Sequence, residues 1–247
     1  MSHENVEKKL NSVKKLNNVN SSVLKIENLA LVYDNKKVLD GINISIERGD
    51  IVTILGPNGG GKTSLVKAVA GINKKNYTGS VMFADDIKIS YMPQNFSISN
   101  LMPITVEYFL LNSFSTKLKK DQSIITKAIE LVGIGNILKN QVLEISAGQT
   151  QLLLLARCLI AEPDLIILDE PVSAMDVSAR AKFYDIISKI AKKRLVSILM
   201  TSHDLNSIVP CSDYIICINN TIYCQGKPGE IIKNKTLSEI FGSYAAK

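Results

Sequence analysis

Two clusters of residues in this sequence have the types and the spacing to do chemistry. Gly56-Pro57-Asn58-Gly59-Gly60-Gly61-Lys62-Thr63, followed by Ser64, fits the pattern G-x-x-x-x-G-K-[ST]. Its glycines let consecutive backbone N–H groups turn inward and cradle phosphate oxygens. A helix opening at Lys62 would aim its positive dipole end at the same place. Lys62 has the reach for β- and γ-phosphates, and Thr63 has a hydroxyl for Mg²⁺. The second cluster, Leu165-Ile166-Ile167-Leu168-Asp169-Glu170, is an apolar strand ending in two acids. A buried strand would deliver Asp169 to the carboxyl edge of a sheet, where ligands of open α/β sheets bind. Asp169 is then a candidate to hold Mg²⁺ through water, and Glu170 to polarise an attacking water as general base. Alone, each has a plainer reading: a Gly-rich turn that binds nothing, or acids that cap a helix. Together in one chain they point to phosphoryl chemistry.

Three more segments bear on the same chemistry. Gln94 closes Tyr91-Met92-Pro93-Gln94 after a strand. Ser146-Ala147-Gly148-Gln149 has the form of a capping box, with Ser at the N-cap and Gln at N3. His203 stands in Thr201-Ser202-His203-Asp204, also after a strand. Taken singly, a Gln after a strand or a His in a loop is more often structural.

Something must position these groups, and the hydrophobic pattern says what. Residues 1–21 are Asn/Lys/Ser-rich without apolar periodicity and read as a flexible arm. From Val23 to Ile46 the alternation is β-like, and residues 51–55 form a short apolar run that feeds the glycine-rich loop. A helix over residues 62–70 should end at Gly71. Residues 79–92 read as a strand pair, and residues 105–141 and 146–162 as helical. Residues 165–168 and 196–201 read as strands, residues 177–193 as a helix, and Asn219-Asn220 as a hairpin tip. A short helix near Leu205 and a terminal helical piece complete the pattern. Strands alternating with helices argue for an α/β core with a largely parallel sheet.

Composition sets the outer bounds. The 247 residues are 46% hydrophobic and 21% charged, as in ordinary globular chains. There are 29 basic and 23 acidic residues, and the net charge of +6 gives no reason to invoke nucleic acid. No apolar run approaches a membrane span, and the N-terminus lacks the apolar region of a secretory signal. Cys158, Cys211, Cys217 and Cys224 have no zinc-site spacing and read as reduced thiols.

In this order, the motifs resemble those of the ATPase subunit of ABC transporters, over about residues 23–242. The resemblance takes in Tyr33 as an aromatic stacking residue and residues 56–63 as the phosphate loop. Gln94 is its glutamine loop, residues 145–149 its signature and residues 165–170 its acidic strand. Ser173-Ala174-Met175-Asp176 forms the next loop, and His203 the histidine switch. Within the superfamily the chain looks most like the ATPase of zinc importers in the zinc/manganese/iron group. The phosphate loop, Tyr91-Met92-Pro93-Gln94, Ser202-His203-Asp204-Leu205 and Thr221-Ile222-Tyr223-Cys224-Gln225-Gly226 carry that likeness.

The resemblance implies an α/β P-loop NTPase of the ABC ATPase fold. It has a mostly parallel core sheet, an antiparallel β part and an α-helical subdomain. After the arm, residues 22–247 would form one ATPase domain, with a RecA-like lobe over about residues 22–96 and 163–247. The helical subdomain would span about residues 97–162. It also implies ATP with Mg²⁺ and a head-to-tail homodimer with two composite sites. Tyr33 would stack on adenine, and residues 56–64 would hold phosphate. Thr63, Gln94 and Asp169 would arrange Mg²⁺, while Glu170 and His203 act on the attacking water. Ser146, Gly148 and Gln149 would meet the partner's nucleotide, and Asp176 would communicate across the interface.

The expected partners are an integral membrane permease and, indirectly, an extracytoplasmic metal-binding protein. The expected place is the cytoplasmic face of a bacterial inner membrane. Two departures stand out: Ala147 where the family has Gly, and Leu152 where it commonly has a basic residue. Rival readings are the ATPase of a manganese/iron, siderophore or haem importer, or of an exporter. Less favoured are a soluble ABC ATPase acting on DNA or ribosomes and a nucleotide-binding regulator without hydrolysis. The DNA-repair type needs a long coiled coil and the translation type two phosphate loops, neither of which is present. Intact Lys62, Asp169, Glu170 and His203 argue against the regulator.

Overall fold

The computed structural model describes residues 13–15, 22–72, 77–97, 103–113 and 121–233. Of the arm over residues 1–21, Val13–Lys15 (β1) is a strand rather than a frayed segment; the other residues of the arm lie outside the described residues. The alternation that begins at Val23 builds β2 (Ser22–Tyr33) and β3 (Lys36–Glu47), paired antiparallel with Leu24 opposite Ile46 and Ile26 opposite Ile44. Asp34 and Asn35 turn the hairpin with φ of 45° and 60°. Asp and Asn tolerate this left-handed geometry, whose twist suits flanking strands. β2 also pairs with β5 (Tyr77–Phe83), which takes β1 on its far side, giving the order β1-β5-β2-β3.

The second sheet contains β4 (Ile51–Leu55), β6 (Ile89–Met92), β7 (Leu165–Leu168), β8 (Ser197–Ser202), β9 (Tyr214–Asn219) and β10 (Thr221–Gly226). Its order is β10-β9-β4-β8-β7-β6, parallel throughout except for the β9–β10 hairpin. The strand pair expected over residues 79–92 is corrected here: β5 and β6 do not pair but lie in different sheets. Periodicity marks a strand but cannot name its partner.

Both faces of the parallel sheet are covered. Ile166, Leu168, Ile198 and Met200 enter one hydrophobic core, whereas Leu165, Ile167 and Leu199 enter the other. That is why these strands read as unbroken apolar runs rather than alternating ones.

The helices are α1 (Lys62–Val69), α2 (Val106–Asn112), α3 (Gln122–Val132), α4 (Ala147–Ile160), α5 (Val177–Arg194), α6 (Leu205–Ile208) and α7 (Pro228–Ile232). Thr105 and Asp121 cap α2 and α3, and Gly133 ends α3 in the left-handed conformation. α4 is buried along Leu153, Leu154, Leu155 and Leu159, packing on α3 and β6. Among the described residues no helix is long and apolar enough to cross a membrane.

Candidate active site

The order β4-β8-β7-β6 places four carboxyl ends side by side. Leu55 sits opposite Ser202, Met200 opposite Leu168, and Leu168 opposite Met92. The next residues along each strand are therefore Gly56, His203, Asp169-Glu170 and, two past Met92, Gln94. Motifs far apart in sequence meet on one sheet edge because their strands are neighbours.

The glycine-rich loop follows β4 and opens α1, as its spacing requires. A Cβ on Gly56 would lie 2.3 Å from the backbone oxygen of Ile218 in β9, so only glycine fits. Gly61 has φ of 93°, which glycine adopts without strain, and brings the chain into α1. Lys62 is 4% exposed. Its Nζ donates to the carbonyls of Gly56 (3.0 Å) and Pro57 (3.1 Å) and pairs with Glu170 Oε1 at 3.1 Å.

The two acids after β7 collect different donors. Asp169 is held by hydroxyls: Thr63 and Thr201 donate to Oδ1 at 3.0 and 2.9 Å, and Tyr91 to Oδ2 at 3.4 Å. Burial, then the Asp169 charge, pushes the Tyr91 phenol well above its usual pKa, so it stays a donor. Glu170 is held by nitrogens: Lys62 at Oε1, Gln94 Nε2 at 3.2 Å and His203 Nδ1 at 3.3 Å, both on Oε2. The Glu170 backbone N–H donates to Thr201 Oγ1 at 2.8 Å. Glu170 has φ of 44°, a left-handed backbone worth about 1–3 kcal/mol of strain and concentrated at functional sites.

Val38, Asn58, Gly59, Gly61, Lys62, Thr63, Ser64, Gln94 and Glu170 line a cleft of about 340 Å³. It combines loop amides, one ammonium, two hydroxyls and a carboxylate at a helix N-terminus, the equipment for phosphates. Thr63 and Asp169 present hard oxygens 3.0 Å apart, the donor type magnesium takes when phosphates complete its shell. A larger cavity, about 470 Å³, lies between the two sheets beside Glu47, Asp50 and Tyr214 and holds none of the motifs.

Not every expected site residue reaches this cleft. Tyr33 ends β2 opposite Lys36, half-buried, and is not among the lining residues. Ser146, Gly148 and Gln149 stand at the start of α4. There the capping box is formed: Ser146 Oγ accepts from the Gln149 N–H at 3.2 Å, and Gln149 Oε1 accepts from the Ser146 N–H at 2.9 Å. Asp176 caps α5, accepting from the Ala179 N–H at 2.9 Å. Gln94 turns its amide N–H to Glu170 rather than its oxygen to Thr63 and Asp169. Thr201 and Tyr91 carry contacts to which sequence reasoning assigned no role. The signal for Thr201 was its place at the carboxyl end of β8, two residues before His203.

A family model described as ABC transporter matches residues 39–173. The zinc import ATP-binding protein ZnuC of Wolbachia sp. subsp. Brugia malayi (strain TRS) is 85% identical over all of both chains. That of Wolbachia pipientis wMel is 83% identical, again over the full length of each. The ADP conformation of an ATP-binding cassette of an ABC transporter superposes with a TM-score of 0.79 at 23% identity, covering 89% of this chain and 98% of that one.

Proposed function

The chain belongs to the ABC transporter ATP-binding family, and from that premise we propose that it hydrolyses ATP to drive zinc import through a separate membrane permease. The observation that carries the reading is the meeting of Lys62, Thr63, Gln94, Asp169, Glu170 and His203 at adjacent strand ends. Zinc as cargo is supported by the names of relatives 85% and 83% identical over the whole chain.

Each residue then has a task. The loop amides of residues 56–64 and Lys62 bind phosphates, with Lys62 exchanging Glu170 for the incoming anion. Tyr33 lies on the hairpin whose Val38 borders the cleft, and it stacks on adenine. Magnesium suits Thr63, Asp169 and Gln94, and when bound it neutralises charge developing on the phosphates. Glu170 takes the proton of the attacking water, with His203 holding Oε2 and steadying that water. The exposed start of α4 at Ser146 and Ala147 is absent from its own chain's cleft. We assign it, with Gly148 and Gln149, to the nucleotide of a second copy, where its N–H groups and dipole meet phosphate. Asp176 lies at that interface. Two copies thus close around ATP and separate after hydrolysis, a nucleotide-biased two-state element. The helices from Thr105 to Gln141, with the segment around Gln94, meet the permease on the cytoplasmic face of the membrane. An extracytoplasmic binding protein delivers the metal.

The test is uptake into proteoliposomes carrying this chain, its permease and internal ATP. ATP-dependent zinc accumulation that outcompetes manganese and iron is expected. Manganese or iron transport without zinc transport would refute the cargo. ATPase activity with no metal transported at all would refute the importer.

A further inference from the structure

The β9–β10 hairpin holds two thiols face to face. Cys217 and Cys224 are direct partners across the antiparallel pair, beside a bulge that falls between Ile222 and Cys224. Both side chains pack on the same hydrophobic core, Cys217 fully buried and Cys224 half-buried. Residues directly opposite in an antiparallel pair have Cα atoms roughly 4.5–5.5 Å apart. That separation lies inside the window of about 4.4–6.8 Å in which disulfides occur, so a small adjustment of the strands suffices to close one. Burial, then the neighbouring Cys224 thiol, holds Cys217 above the ordinary thiol range; burial does the same to Cys224. The pair therefore rests as thiols, and what the fold supplies is proximity.

The hairpin is also a buttress of the phosphate loop. The Asn220 N–H donates to the Gly60 carbonyl at 3.1 Å, and its side-chain amide to the Val38 carbonyl at 2.9 Å. The Asp40 N–H donates back to the Asn220 carbonyl at 2.9 Å. The Ile218 carbonyl occupies the space a Cβ on Gly56 would need. Cys217 itself lies opposite Leu55, the residue before the loop.

The geometry points to Cys217 and Cys224 as a modification site, a thiol pair that closes to a disulfide by exchange with a low-molecular-weight disulfide and thereby weakens nucleotide binding. Cys224, the more exposed, attacks one sulfur of the disulfide RSSR as its thiolate and releases one RS⁻, forming a mixed disulfide. Cys217 then attacks the Cys224 sulfur as thiolate and expels the second RS⁻. The protein loses two electrons and two protons, and RSSR is reduced to two RSH. Fixing the two side chains in disulfide geometry beside the bulge shifts the strands at this pair and so displaces Ile218 and Asn220. Loss of the Asn220–Gly60 hydrogen bond would weaken ATP binding about fivefold. This consequence rests on the ATP-binding reading above; the closure itself does not.

The experiment incubates the full-length protein with oxidised glutathione, maps its thiols by mass spectrometry, and measures ATP affinity before and after dithiothreitol. The expected result is a Cys217–Cys224 disulfide with Cys158 and Cys211 still free, a severalfold fall in ATP affinity, and recovery on reduction. Cys224→Ser and Cys217→Ala should bind ATP as the reduced protein does and be insensitive to the oxidant. A stable glutathione adduct at Cys224, or no modification, would overturn the site. A disulfide with unchanged affinity would overturn its link to the phosphate loop. Failure of the reduced wild type to bind ATP would count against the ATPase reading instead.

Discussion

Replacing Glu170 with Gln separates two roles that one carboxylate holds. In the structure Glu170 is paired with Lys62 at 3.1 Å, the two side chains being 9% and 4% exposed. Removing one partner of a buried pair costs about 3–5 kcal/mol. Glutamine, however, still offers Lys62 an oxygen, and Lys62 keeps the carbonyls of Gly56 and Pro57. The loss should then shrink to about 1–3 kcal/mol, because Lys62 keeps an ion-to-amide hydrogen bond where it had a full ion pair. ATP must draw Lys62 away from Glu170 in the wild type, and in the variant that competition is weaker. By linkage the same 1–3 kcal/mol reappears as tighter binding, about five- to 150-fold. Turnover should fall by roughly 10²–10⁴, the usual contribution of a general base. Phosphate release measures the rate, nucleotide titration the affinity, and melting with and without ATP the linkage. Wild-type turnover would sink Glu170 as the base. Unchanged or weaker ATP affinity would refute the competition for Lys62.

Gly56→Ala would force a methyl to 2.3 Å from the Ile218 carbonyl. Moving that backbone should cost about 2–3 kcal/mol or more, seen as a lower urea midpoint together with weakened ATP binding; an unchanged midpoint would show that the loop yields freely. Ala147→Gly touches an exposed residue whose side chain makes no capping bond, so ATPase rates should change by no more than about twofold, a surface-sized effect. If the natural form is inactive and glycine rescues it, that expectation fails. The Asp50 pKa is raised by burial, then by Asp213 and Glu47. A raised carboxylate gives stability that is complete below its unfolded pKa and lost as pH rises through the folded one. Asp50→Asn should therefore raise the melting temperature at pH 7, with the gain shrinking as pH falls toward 4. A gain that is the same at both pH values would contradict this sign.

By itself the sequence determined whatever depends on short-range physics. The glycine loop, the capping box of Ser146 and Gln149, the apolar strands and the order of the motifs are all local, and the structure bears out the local geometry. Only the tertiary structure decided who meets whom. It put β5 and β6 in different sheets, made Val13–Lys15 a strand, and seated β7 between β6 and β8. That seating brings Tyr91 and Thr201 onto Asp169 and His203 onto Glu170. It also turns Gln94 toward Glu170 and leaves Tyr33 outside the cleft lining. The physical reason is that period two says a residue is in a strand and which face it takes. The strand's neighbour is chosen by packing across the whole chain, which no local window contains.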